Sequence, residues 1–111
     1  MIKLLFSALL FVVSTTIVAQ TAINQLDSNG KRQGVWKKVY HNGNKRYIGQ
    51  FEHGEEVGTF KFYAITGEKH PIALKIYTKG STTVAVRYYS LKGMLESEGQ
   101  LIGKERIGTW T

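Results

Sequence analysis

Any chemistry in this chain rests on three His, eight Asp+Glu and 15 Lys+Arg, because it contains no Cys. That absence removes a thiol nucleophile, Cys-ligated zinc and a disulfide framework. His41, His53 and His70 do not stand at a recognised metal-ligand or acid–base spacing from any carboxylate. His41 and His53 fall in expected turns and His70 precedes Pro71, so all three read as polar turn residues. Glu52, Glu55 and Glu56 beside His53 read as a solvated loop, and Glu96 and Glu98 as a polar strand face. Asp27-Ser28-Asn29-Gly30 has the opening of a calcium loop but lacks the glutamate that closes one, and a turn is expected there. Nothing resembles a phosphate loop or a nucleotide fingerprint. The sequence predicts no catalytic residue, no metal site and no cofactor.

The basic residues carry more information. The net charge is +7, and Lys37, Lys61 and Arg87 occupy one equivalent position in successive segments. Lys38, Lys45, Arg46 and Lys69 lie nearby, interleaved with aromatics. Aligned strands would set Lys37, Lys61 and Arg87 in a row, suited to anionic lipid heads, cell-wall polymers or nucleic acid. The plainer reading is solvation of an open sheet face, with edge charges that block aggregation.

A repeat must position these residues. Gly34-Val35-Trp36-Lys37 returns 24 residues on as Gly58-Thr59-Phe60-Lys61, then as Val84-Ala85-Val86-Arg87, then as Gly108-Thr109-Trp110. Gly43, Gly67 and Gly93 hold one offset within the units, and Gly49-Gln50-Phe51 returns as Gly99-Gln100-Leu101. The units are 34–57, 58–83 and 84–107, with a partial unit at 108–111 and the second half of an earlier one at 23–33. Such a period means supersecondary units that bury their apolar faces only by stacking.

Each unit reads as a β-hairpin. The first strand alternates, as in Trp36, Lys38, Tyr40 against Val35, Lys37, Val39. Asn42-Gly43 marks the turn, as a pair that tolerates positive φ at both positions. The second strands are expected at 45–52, 71–78 and 95–102, with Pro71 at a strand start and a longer loop or bulge near Gly80-Ser81-Thr82. Gly49 and Gly99 mark places where a bulky neighbour lies close. One face carries Trp36, Tyr40, Phe60, Phe62, Val86, Tyr88 and Trp110, the expected buried side, with part of it left open as a candidate binding face. The fold class is all-β: tandem antiparallel hairpins in one elongated curved sheet, without a helix after the first segment.

At these residues the sequence resembles MORN-repeat proteins. Tyr47-Ile48-Gly49-Gln50-Phe51-Glu52-His53-Gly54-Glu55-Glu56-Val57-Gly58-Thr59-Phe60 matches the pattern Tyr-x-Gly-x-aromatic, then x-x-Gly, then x-x-x-Gly-x-aromatic. Gly30-Lys31-Arg32-Gln33-Gly34-Val35-Trp36 matches its second half. The Trp-Lys-x-x-Tyr and Asn-Gly features look like the bacterial variant repeats, some of which carry an antitoxin label. The resemblance covers about residues 23–111, and Val84 and Lys104 stand where the pattern asks for glycine. It implies a surface rather than a reaction centre.

Met1–Ala19 reads as a secretory signal peptide: Lys3, an apolar run from Leu4 to Val13, and cleavage after Ala19. The 16 residues from Leu4 to Ala19 are short for a spanning helix. Cleavage removes Lys3, one of the 15 Lys+Arg, so the charge becomes +6. The length of 111 residues allows one small domain, and 42% hydrophobic residues exclude compositional disorder. The expected function is an exported, periplasmic, envelope or extracellular protein-binding or scaffold module. The alternatives are binding of anionic envelope lipids or polymers through Lys37, Lys61 and Arg87, and an immunity-type protein that masks a partner. Export disfavours nucleic acid. Gly108-Thr109-Trp110-Thr111 offers an edge for self-association.

Overall fold

The computed structural model describes residues 22–111. The expected signal peptide, Met1–Ala19, lies outside them. Eight strands form one antiparallel sheet in chain order: β1 (Gln25–Leu26), β2 (Arg32–Val39), β3 (Lys45–Glu52), β4 (Glu55–Phe62), β5 (Ala73–Tyr77), β6 (Thr83–Tyr89), β7 (Leu95–Ile102) and β8 (Glu105–Ile107). β1 and β8 do not pair, so the sheet stays open, and there is no helix among the described residues. The fold is therefore the expected all-β array of consecutive hairpins.

Glycine position selects each turn. At the 40–44 turn, the Gly43 amide donates to the Tyr40 carbonyl (2.9 Å) and the Tyr40 amide to the Asn44 carbonyl (2.8 Å). Gly43 alone has positive φ (86°) there, so Asn42-Gly43 forms a three-residue loop with a glycine bulge, not the two-residue turn its sequence suggests. Ser90 to Met94 repeats the same bonds, with Gly93 at φ 84°. At the opposite ends, Asp27 to Lys31 has these bonds again, with Gly30 at φ 76°, while β3–β4 and β7–β8 use two-residue loops. His53 and Gly54 both have positive φ (49° and 86°), which defines a type I′ turn. In Gly103-Lys104 only Gly103 (60°) does, so moving the glycine one place earlier gives the type II′ arrangement. The β5–β6 connection, 78–82, is longer, as expected. β5 is shorter than the expected 71–78, because Pro71 has no amide to give and regular pairing starts at Ala73.

A second glycine sets the register. Ile48 faces Lys61, yet Gln50 faces Val57, so β4 carries two extra residues around Gly58 (φ 72°). The bulge carries Phe60 over Gly49, where a Cβ would overlap the ring. Gly108 (φ 65°) does the same near β8: Gln100 faces Ile107, Glu98 bonds Thr111 in both directions at 3.1 Å, and Trp110 covers Gly99. In β6, Val84 takes the glycine's place. The β5–β6 register then runs unbroken, and Lys75 faces Val86 in place of a ring over a glycine. The missing glycine thus removes a bulge without breaking the sheet.

One face of the sheet is the core. Phe51, Phe60, Ala73, Val86 and Leu101 share it by register and are buried, Val86 most completely at 1% exposure. Phe60 is the hub: its ring meets Phe51 edge-on at 5.3 Å and Tyr77 at 5.1 Å, and stacks on Phe62 at 6.4 Å. The described residues form a single layer, and in it rings lying over neighbouring strands replace the second sheet or helix that would normally cover such a face. Side chains also tie unit to unit at the turns. The Tyr40 hydroxyl donates to the Tyr63 carbonyl at 2.6 Å, Asn42 and Asn44 amides donate to Ile65, and His70 bonds the equivalent carbonyl of Leu91.

Candidate functional site

The opposite face carries the basic row. Lys37 pairs with Ile48, Ile48 with Lys61, Lys61 with Leu74, Leu74 with Arg87, and Arg87 with Glu98. The three cations expected at one repeat position therefore stand in one line across β2 to β6. With strands about 4.8 Å apart, cations recur about every 10 Å, an aliphatic side chain between each two. That separation is about one Debye length, so their mutual repulsion amounts to only a few tenths of a kcal/mol.

The row differs along its length. Lys61 and Arg87 are exposed and Lys37 is half-buried. Arg87 Nε lies 3.4 Å from Glu98 Oε2, whereas Lys37 and Lys61 pair with no carboxylate among the described residues. Half-buried Val35, Val57, Ile76, Ala85 and Ile107 flank the row. Near its Arg87 end, Ile76, Ala85, Glu98, Gln100 and Ile107 border a shallow groove of about 500 Å³.

Of the other basic residues, Lys38 faces Tyr47 on the core side. Lys45 stacks over Tyr63 at 4.6 Å and Arg46 over Tyr40 at 5.9 Å.

The aromatic candidates are differently placed. Phe60 is 3% exposed and fills the centre of the core. Trp36, Tyr40, Phe62, Tyr88 and Trp110 are half-buried. Cations roof several of these rings: Arg32 lies 4.9 Å from Trp36 and 5.3 Å from Phe51, Lys75 5.4 Å from Phe62, and Arg106 4.6 Å from Trp110. Each such contact contributes about 0.5–1 kcal/mol at an exposed site and shields the ring from a ligand. Trp36 Nε1 donates to the Gln25 carbonyl at 3.0 Å, which holds β1 to the sheet. On the same face, burial first and the Glu56 charge second push the Tyr77 hydroxyl above its ordinary pKa.

Asp27, His53, Glu52 and Lys79 are engaged in structural contacts. Asp27 Oδ1 accepts the amides of Asn29 (2.8 Å) and Lys31 (2.9 Å), and Oδ2 lies 2.9 Å from His53 Nδ1. The His53 hydrogen bond, then that of Lys31, holds the Asp27 carboxyl below its ordinary value. Lys79 Nζ meets Glu52 Oε1 at 2.7 Å, which lowers the carboxyl and raises the amine. No three His, Asp or Glu side chains among the described residues gather as a metal would need.

The residues whose roles sequence reasoning missed are Ile48, Leu74, Glu98 (read only as part of a polar strand face), Arg32, Lys75 and Arg106. The first three became predictable once the register was known, since each lies opposite a predicted cation. No signal marked the last three, whose stacking depends on side-chain direction. No family model, curated protein or solved structure matches this chain.

Proposed function

We propose that this protein is a non-catalytic repeat module of the exported compartment that binds another protein through the sheet face bearing Lys37, Lys61 and Arg87. The observation that carries the reading is the unbroken cross-strand row of cation and aliphatic residues on a face that no second layer among the described residues covers. Such a face combines an apolar contact area with charges that select and orient a partner. The MORN-like repeat agrees with a scaffold role. The test is affinity capture with quantitative mass spectrometry, comparing the native protein with K37E/K61E/R87E at equal thermal stability. A partner retained by the native protein and lost by the triple variant supports the reading. Partners retained equally by both overturn it.

A second reading uses the same row to hold anionic lipids or envelope polymers. It is favoured by the two lysines that carry no carboxylate partner among the described residues. Sedimentation with anionic vesicles tests it, since such binding falls sharply between low and physiological salt.

A further inference from the structure

We infer that the occupant of the basic row is an amphipathic helix of a partner protein, with acidic residues at seven-residue intervals and aliphatic residues midway between them. The inference rests on the protein-binding reading above and specifies the partner's chemistry. The row runs Lys37, Ile48, Lys61, Leu74, Arg87: charge and aliphatic in strict alternation, one strand spacing per step. Three chain conformations can be laid along it. An extended strand presents same-face residues about every 6.7 Å, too far apart for a step of about 4.8 Å. A polyproline II segment presents one residue per turn, about every 9.3 Å, which fits the cations but leaves Ile48 and Leu74 without partners. On an α-helix, same-face residues lie three or four apart, about 4.5–6 Å along the axis, so acidic and aliphatic residues alternate at the pitch of the row.

The fit has a measurable slack. Four strand steps span about 19 Å and fourteen helical residues about 21 Å. Sheet twist adds about 20–25° per strand, which splays Lys37 and Arg87 by about 45° to either side of Lys61. The long stems of Lys and Arg absorb both displacements while their charged ends reach the partner. Charge complementarity also has a direction. Glu98 already engages Arg87 at 3.4 Å and competes with an incoming carboxylate at that end only. Lys61, exposed and central, is the anchor.

The experiment uses the full chain and a synthetic helical peptide of about 18 residues, with Glu at the first, eighth and fifteenth positions and Leu midway between. Its isomer has the same composition, with Glu and Leu distributed around the helix. Binding is followed by fluorescence anisotropy at low and about 150 mM salt, with anionic phosphatidylglycerol vesicles as a separate arm. The patterned peptide is expected to bind about tenfold more tightly than its isomer. Lys61→Glu should remove that difference, Lys61→Gln should reduce it, and Glu98→Gln should tighten binding several-fold by freeing Arg87. Equal affinity for the two isomers, indifference to Lys61→Glu, or binding of vesicles with no peptide binding would each overturn the inference. If the peptides fail while K37E/K61E/R87E still loses a captured partner, only the helical occupant is wrong. If neither responds, the protein-binding reading fails with it.

Discussion

Consider Gly49→Ala. Gly49 lies in β3 with φ outside the left-handed region, so alanine meets no backbone penalty there. By itself the change should stabilise the protein by about 0.4–1 kcal/mol, because alanine restricts the unfolded chain. The Phe60 ring, however, occupies the space a Cβ would fill, and that ring is the hub of the core. Overpacking of this kind costs about 1–3 kcal/mol, and outright expulsion of the ring would approach the 3–5 kcal/mol of a buried Phe→Ala change. The net expectation is a loss of about 2–3 kcal/mol. Urea unfolding is the assay. With a slope of about 1 kcal/mol per molar for a chain of this size, the midpoint should fall by about 2–3 M. The decisive control is a double-mutant cycle with Phe60→Leu, and with Phe60→Ala if that variant folds. In those backgrounds the Gly49→Ala cost should shrink towards zero or turn favourable. A neutral or stabilising Gly49→Ala in the native background, or an equal cost in both, would refute the ring-over-glycine account.

Other outcomes follow from the same geometry. Gly34→Ala meets no atom within 4 Å but sits at φ 75°, so it should cost about 1–2 kcal/mol in urea unfolding whatever its neighbours are. Trp36→Phe removes the donor to the Gln25 carbonyl and should cost about 1 kcal/mol, with faster hydrogen exchange at the Asn24 amide, which bonds the Val35 carbonyl. The Asp27 carboxyl is held below its ordinary pKa of 3.8, so its contribution is present above that pH and lost as pH falls through the depressed value. Asp27→Asn should therefore flatten the stability profile below about pH 4, read by urea unfolding at a series of pH values.

Much of this fold was legible because it repeats. Gly43 and Gly93 marked their turns, whereas Gly67 closes only a local turn from Ala64 within the longer 63–72 connection; the Lys37–Lys61–Arg87 position predicted a row that the register then aligned. Register itself was harder to read. It depends on whether a bulge forms, and Gly58 and Gly108 bulge where Val84 does not. The resemblance to glycine-bearing repeats marked Val84 as a departure but did not say that Lys75 and Val86 would replace the glycine and ring beneath it. Asn42-Gly43 misled in detail, since only Gly43 enters the left-handed region and the loop gains a residue. Spacing also failed for Arg32, Lys75 and Arg106. Their strand positions were readable, but whether a long stem folds back over a ring depends on contacts across strands. The candidate site was thus half visible: its charges came from the sequence, while its intervening Ile48 and Leu74 and the competing Glu98 came only with the pairing.

Binding on the face opposite the aromatic core can be read residue by residue. The measurement is a titration of isotope-labelled protein with a captured partner or the patterned acidic peptide, followed through the backbone amide shifts. The largest changes should map to Lys37, Ile48, Lys61, Leu74 and Arg87, and fade in Lys61→Glu. Changes centred instead on Trp36, Phe62, Tyr88 and Trp110 would rule out the basic row and make the cation-roofed aromatic face the binding surface.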